Sequence, residues 1–264
     1  MRHDEQRHWK EERETLKETA GKWFSISEDA ASNDEIRNRL LAGGKITGTN
    51  MCVMICAIII ASVGLNTDSV AVIIGAMLIS PLMGSILATA YGAVSNDGYL
   101  VKKHLAGFGF QIVVSIVAAA VYFLLSPVKE ATVQLIARTH PSFFDVLVAT
   151  AGGVAGIIGQ TREDKANNII PGVAIATALM PPLCTCGYAI ANREWYMLLG
   201  ALYLFAINAY FIFGSASVVL SALGIPKVRE LTDAEWKKKQ RRMVRNTIIL
   251  ILPCIAAAIS IYFT

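Results

Sequence analysis

From Ile46 to Phe263 the chain is a succession of apolar stretches with no Lys, Arg, Asp, Glu or His in the middle of any of them. A bilayer-crossing helix takes ~20 such residues. About seven spans are expected, at roughly 46–65, 69–93, 104–126, 143–160, 168–191, 195–222 and 246–263. Hydrophobic residues make up 54% of the 264, and charged ones only 17%, against ~25% in ordinary soluble domains. The fold class is therefore an all-α membrane protein. A soluble globular, disordered, collagen-like or disulfide-scaffold chain is excluded.

Charge is concentrated at the ends of these stretches. Residues 1–44 hold ten acidic and eight basic residues and lack the apolar core of a signal peptide. Trp9, Leu16 and Trp23 recur at a seven-residue spacing, one face of a helix. A second helix is expected from Asn33 to Gly43–Gly44, with Ile36 and Leu40 on one side. These two helices either pack on the membrane domain or act as an interfacial anchor or gate. With the N-terminus inside, 21 of the 24 Lys and Arg fall on the inner side. That asymmetry predicts a multi-pass protein of the inner (plasma) membrane with a cytoplasmic N-terminus. Asn66, Thr67 or Asp68 is a natural N-cap for the second span. Residues 223–245 form a basic segment. Within it Thr232 and Glu235 make a capping box, and Lys237, Lys238, Lys239, Arg241, Arg242 and Arg245 abut the seventh span, 246–264. Anionic lipid headgroups are the expected partner; a nucleic-acid role is not expected.

An internal repeat is suggested by the second and fifth spans. At an offset of 101 residues, Asn66, Val72, Ile74, Leu78, Pro81 and Leu82 match Asn167, Val173, Ile175, Leu179, Pro182 and Leu183. Gln111 and Asn208, each a lone amide in an apolar helix, stand 97 apart. A shift of three spans reverses direction across the membrane, so 45–126 and 143–222 would be an inverted three-plus-three repeat. Coincidence plus a shared kink motif is the bland alternative.

Proline inside a helix removes a hydrogen bond and clashes with the preceding turn. Ser80-Pro81 and Pro181-Pro182 are thus expected breaks near the middle of spans 2 and 5, with Gly84, Thr185 and Gly187 permitting close approach. Two inverted half-helices would aim positive dipole ends at one region, suited to a small anionic or carbonyl-bearing solute. The bland alternative is a pair of packing kinks. Gln111, Asn208 and Gln160 are either interhelical glue or the lining of a polar path. Gly152-x-x-x-Gly156 and Gly84-x-x-x-Ala88-x-x-x-Gly92 favour close helix packing or a subunit contact, which leaves a homo-oligomer open. Cys52, Cys56, Cys184, Cys186 and Cys254 lie inside apolar spans and read as small buried hydrophobes. No metal or cofactor constellation is apparent. Without a nucleophile–base pair, an enzyme is the weakest reading.

Asn66-Thr-Asp-Ser-Val-Ala-Val-Ile-Ile-Gly-Ala-Met-Leu-Ile-Ser-Pro-Leu-Met-Gly84 resembles the signature of a prokaryotic membrane family, domain of unknown function 389. Gly172 to Cys184 and Leu204-Phe-Ala-Ile-Asn208 resemble its second half. The resemblance implies fold and membrane location and supplies no substrate. Two functions then compete. One is passage of a small solute at a site formed by Ser80, Pro81, Gly84, Pro181, Pro182, Thr185, Gln111 and Asn208. The other is a non-transporting scaffold or sensor working through the N-terminal helix and the basic segment.

Overall fold

The computed structural model describes residues 29–163 and 169–263, with side chains described for 29–163 and 179–252. Ten helices lie among the described residues. They are α1 (Asn33–Gly43), α2 (Gly48–Asn66), α3 (Val70–Leu78), α4 (Leu82–Val94), α5 (Gly98–Leu125), α6 (Val133–Ala137), α7 (Phe143–Thr161), α8 (Ile169–Asn192), α9 (Trp195–Ala222) and α10 (Asp233–Phe263). Helices α2, α5, α7 and α9 are long and apolar enough to cross a membrane, and α3 with α4 makes a fifth if the bent pair is one span. The expected fifth span falls on α8 and the expected seventh on the C-terminal part of α10; each of these helices extends into residues whose side chains are not described.

Helix α5 shows how such a sequence folds. Val113, Val117, Val121 and Leu124 recur every three or four residues and are exposed along one stripe. The opposite stripe, His104, Gly107, Phe108, Gln111, Ser115, Ala119 and Phe123, is buried. Small, polar and aromatic residues thus face neighbouring helices while branched apolar ones face outward. In water the exposed stripe would be a liability; against lipid tails it costs nothing, because tails are as apolar as the side chains. Helix α5 packs mainly on α4 and α8, and α9 on α7, α8 and α4. Phe123 and Tyr188 meet edge to face at 5.1 Å across the α5–α8 contact.

The connections gather at two ends of the bundle. At one end, Ala31 N donates to the Thr161 carbonyl (2.8 Å), Val228 N to the Ser95 carbonyl (2.7 Å), and Lys239 Nζ to the Ala93 carbonyl and Asn96 Oδ1. At the other, Asn66 Nδ2 donates to Ser126 Oγ (2.6 Å), Thr132 Oγ1 to the Leu65 carbonyl, and Tyr188 Oη to the Lys129 carbonyl. Successive long helices therefore run in alternating directions.

Several local expectations change. Ser69, and not Asn66, Thr67 or Asp68, precedes the second span as its N-cap. Asn66 is spent as the last residue of α2, and Asp68 adopts φ 55°, whereas an N-cap needs extended backbone. Asp68 instead accepts from Gln134 N at the start of α6, a helix the sequence did not announce. Residues 233–245 of the basic segment and the expected seventh span are one helix, α10, because no Gly or Pro separates Arg245 from the apolar run. Cys184 and Cys186 are buried, but Cys52 and Cys56 are exposed on the outer face of α2, where lipid replaces a protein core. The Trp9–Leu16–Trp23 face and Asn167 lie outside the described residues, and the side chains of Cys254, Val173 and Ile175 are not described.

Candidate functional site

Helices α3 and α4 meet at 49°. The chain tightens as it reaches the bend: Ile79 N reaches back only to the Ala76 carbonyl and Ser80 N to Met77, three residues each. Pro81 follows, with no N–H to offer and φ −83°, and becomes the N-cap of α4. Ser80 Oγ accepts weakly from Leu82 N (3.5 Å) in place of the missing helical partner.

The freed first turn of α4 is met by α1. A Cβ on Gly84 would fall 2.0 Å from the Gly43 carbonyl oxygen, so the two backbones touch through glycine alone. The negative end of α1 thereby abuts the positive end of α4. Gly44 continues the contact: its carbonyl accepts from His104 Nδ1 of α5 at 3.2 Å. Arg39, one turn earlier, pairs with Glu35 and donates to the carbonyls of Arg162 and Glu163, tying α1 to the end of α7.

Between α1 and the bend lies a cavity of about 350 Å³. Ser80, Pro81 and Gly84 line it, together with Arg39, Asn50 and Gln160. The polar groups therefore come from four separate elements and include one guanidinium. Gln111 is close by in the chain of contacts: it is 1% exposed, and its Oε1 accepts from Ser85 Oγ at 2.8 Å, which bonds α5 to α4 just past Gly84.

The other expected site residues are elsewhere. Pro181 and Pro182 lie inside α8, which continues through both. The expected break in the fifth span is absent. Residues Leu179 to Ala189 form an uninterrupted buried run, and packing on α5 and α9 holds the helix together where proline alone would open it. Thr185 is fully buried and donates to the Pro181 carbonyl at 3.0 Å, within its own helix. Asn208 is buried in α9. None of these four lines the cavity beside Ser80. Arg39 and Asn50 were missed by sequence reasoning; the one available signal was a cation next to the inward-facing Leu40. Among the described residues, no group of three or more His, Cys, Asp or Glu that could hold a metal ion occurs.

Comparison with known proteins adds the following. A family model described as Domain of unknown function (DUF389) matches residues 77–214. That interval starts one turn before the bend and ends in α9. An uncharacterised protein of Methanocaldococcus jannaschii is 30% identical over 233 residues, which cover 87% of this chain and 69% of that protein. No solved structure matches the chain.

Proposed function

Because the chain belongs to the DUF389 family, whose matched region contains the bend at Pro81, we propose that the protein passes a small anionic solute across the membrane through the cavity at the broken second span. The observation that carries the reading is the cavity itself, where Arg39, Asn50, Gln160 and Ser80 converge on a helix interrupted at Pro81. A guanidinium and the half-free N-terminus of α4 both favour negative charge. With no ionisable group in the middle of any span, the solute moves past backbone dipoles and neutral side chains, not along a carboxylate relay. In this reading the protein spans the inner membrane seven times, N-terminus in the cytoplasm, and is not an enzyme. The basic face of α10 sits on anionic lipid.

An inverted repeat of 45–126 and 143–222 is part of the proposal. It is supported by paired lengths: α2 and α7 have 19 residues each, α5 and α9 have 28. Asp97 and Glu194, 97 apart, cap α5 and α9. Each follows a residue at positive φ, Asn96 or Arg193, and each donates its N–H five residues back, to Gly92 or Ala189. The two halves differ where one helix bends and the other does not.

The test is flux of a panel of small anions into proteoliposomes. Wild type should exceed empty vesicles, and Arg39→Gln and Pro81→Ala should each lower the rate about tenfold or more, the effect of ~1.4 kcal/mol on a barrier. Equal rates in all three, or none above empty vesicles for any anion, would leave the scaffold or sensor reading in its place.

A further inference from the structure

A second cavity, of about 510 Å³, opens on the other side of the Ala42–Ile46 link, against the first turns of α5. Two cations enter it from separate stretches of chain, Lys45 from the link and Lys103 from α5. Both are exposed, and neither forms an ion pair among the described residues. The remaining wall is largely apolar. Leu100 lines it, and at Gly107 the Ile46 side chain fills the space a Cβ would take, 2.8 Å away. Just beyond, Leu105 of α5 is exposed on the outer, lipid-facing side.

Two unpaired ammonium groups above an apolar wall match an amphipathic ligand. A free inorganic anion has no use for the wall, and an uncharged lipid has no use for the lysines. We propose that this cleft binds an anionic phospholipid, with its phosphate between Lys45 and Lys103 and an acyl chain along Ile46 and Leu100. The cleft differs from the basic face of α10, where Lys237, Lys238, Arg241 and Arg242 all come from one helix. The inference stands whether or not any solute passes the cavity at Ser80.

Native mass spectrometry of the full chain in mild detergent tests it, with phosphatidylglycerol, phosphatidylcholine and inorganic phosphate as probes. Wild type should retain phosphatidylglycerol in preference to phosphatidylcholine. Lys45→Ala combined with Lys103→Ala should reduce that retention about five- to thirtyfold, as expected for one to two headgroup-facing lysines. Lys45→Arg with Lys103→Arg should restore it, which separates lost charge from lost fold. Lys237→Ala with Lys238→Ala should leave the tightly held lipid in place. Equal retention in wild type and the alanine pair would overturn the proposal, and so would displacement of the lipid by millimolar phosphate. Neither readout involves flux, so failure here is distinguishable from failure of the transport reading.

Discussion

A single methyl group has no room at Gly187. Its Cβ would lie 2.4 Å from Ala119 Cβ and 2.7 Å from Ala120 N on α5, and a backbone atom cannot swing aside. At Gly75 in α3 the same methyl would meet nothing within 4 Å. Gly187→Ala should therefore destabilise by about 1–3 kcal/mol through overpacking. Gly75→Ala should be neutral or stabilising by up to about 1 kcal/mol, since alanine is the better helix former. Thermal unfolding in detergent separates the two, and a Gly187→Ala variant as stable as wild type would mean α5 and α8 can move apart cheaply. A short polar contact also works at this scale. The Ser85–Gln111 bond joins two helices with groups that hydropathy alone flags as anomalies. Which anomaly bonds to which was not legible, because the partner stands 26 residues away in sequence and only the folded contact identifies it.

At the scale of elements, local chemistry marked one helix terminus in full and the helix interruptions only in part. Thr232 and Glu235 were readable as a capping box, and the structure has both halves: Thr232 N donates to the Glu235 carboxylate and Glu235 N to Thr232 Oγ1. Arg229 pairs with the same carboxylate and, with the two Thr232 bonds, holds Glu235 below the ordinary glutamate range. A lowered value means the cap's contribution is present above the ordinary glutamate pKa and is lost as pH falls through the lowered one. In a variant with Trp9, Trp23 and Trp195 replaced by Phe, the fluorescence of Trp236 should stay constant above about pH 5 and change below about pH 4. Glu235→Gln should abolish the transition; its persistence there would assign the titration to another group. By contrast, Ser80-Pro81 and Pro181-Pro182 look equivalent in sequence, yet one helix is interrupted and the other continues through its prolines. The residues before Pro81, Leu78 and Ile79, are exposed, whereas Leu179 and Met180 before the double proline are buried. Proline supplies the weakness, and the packing around it decides whether the helix gives way.

For the whole molecule, hydropathy was the dependable signal. The sixth expected span, 195–222, coincides with α9, because nothing but burial in lipid or protein can accommodate so long an uncharged run. The basic residues predict which end faces the cytoplasm. Cysteines placed at Asp34 and Glu230 should react with an impermeant maleimide only after cells are permeabilised, and one at His140 should react in intact cells. Labelling of all three from outside, or the reverse pattern, would refute that orientation. What the sequence left dark was the role of α1, whose contacts all rest on residues distant in the chain: Gly84 at its end, Arg162 and Glu163 along its side.

The Ala42–Ile46 link has one more consequence. Ala42 lines both cavities, the one beside Ser80 and the one between Lys45 and Lys103. Any shift of Ala42 reshapes both at once. Were the proposed solute and headgroup both to bind, and either to displace Ala42, the factor by which bound headgroup changed solute affinity would equal the factor by which bound solute changed headgroup affinity. On the two proposals together, the lipid composition of the bilayer would act, through one alanine, on the site beside Ser80.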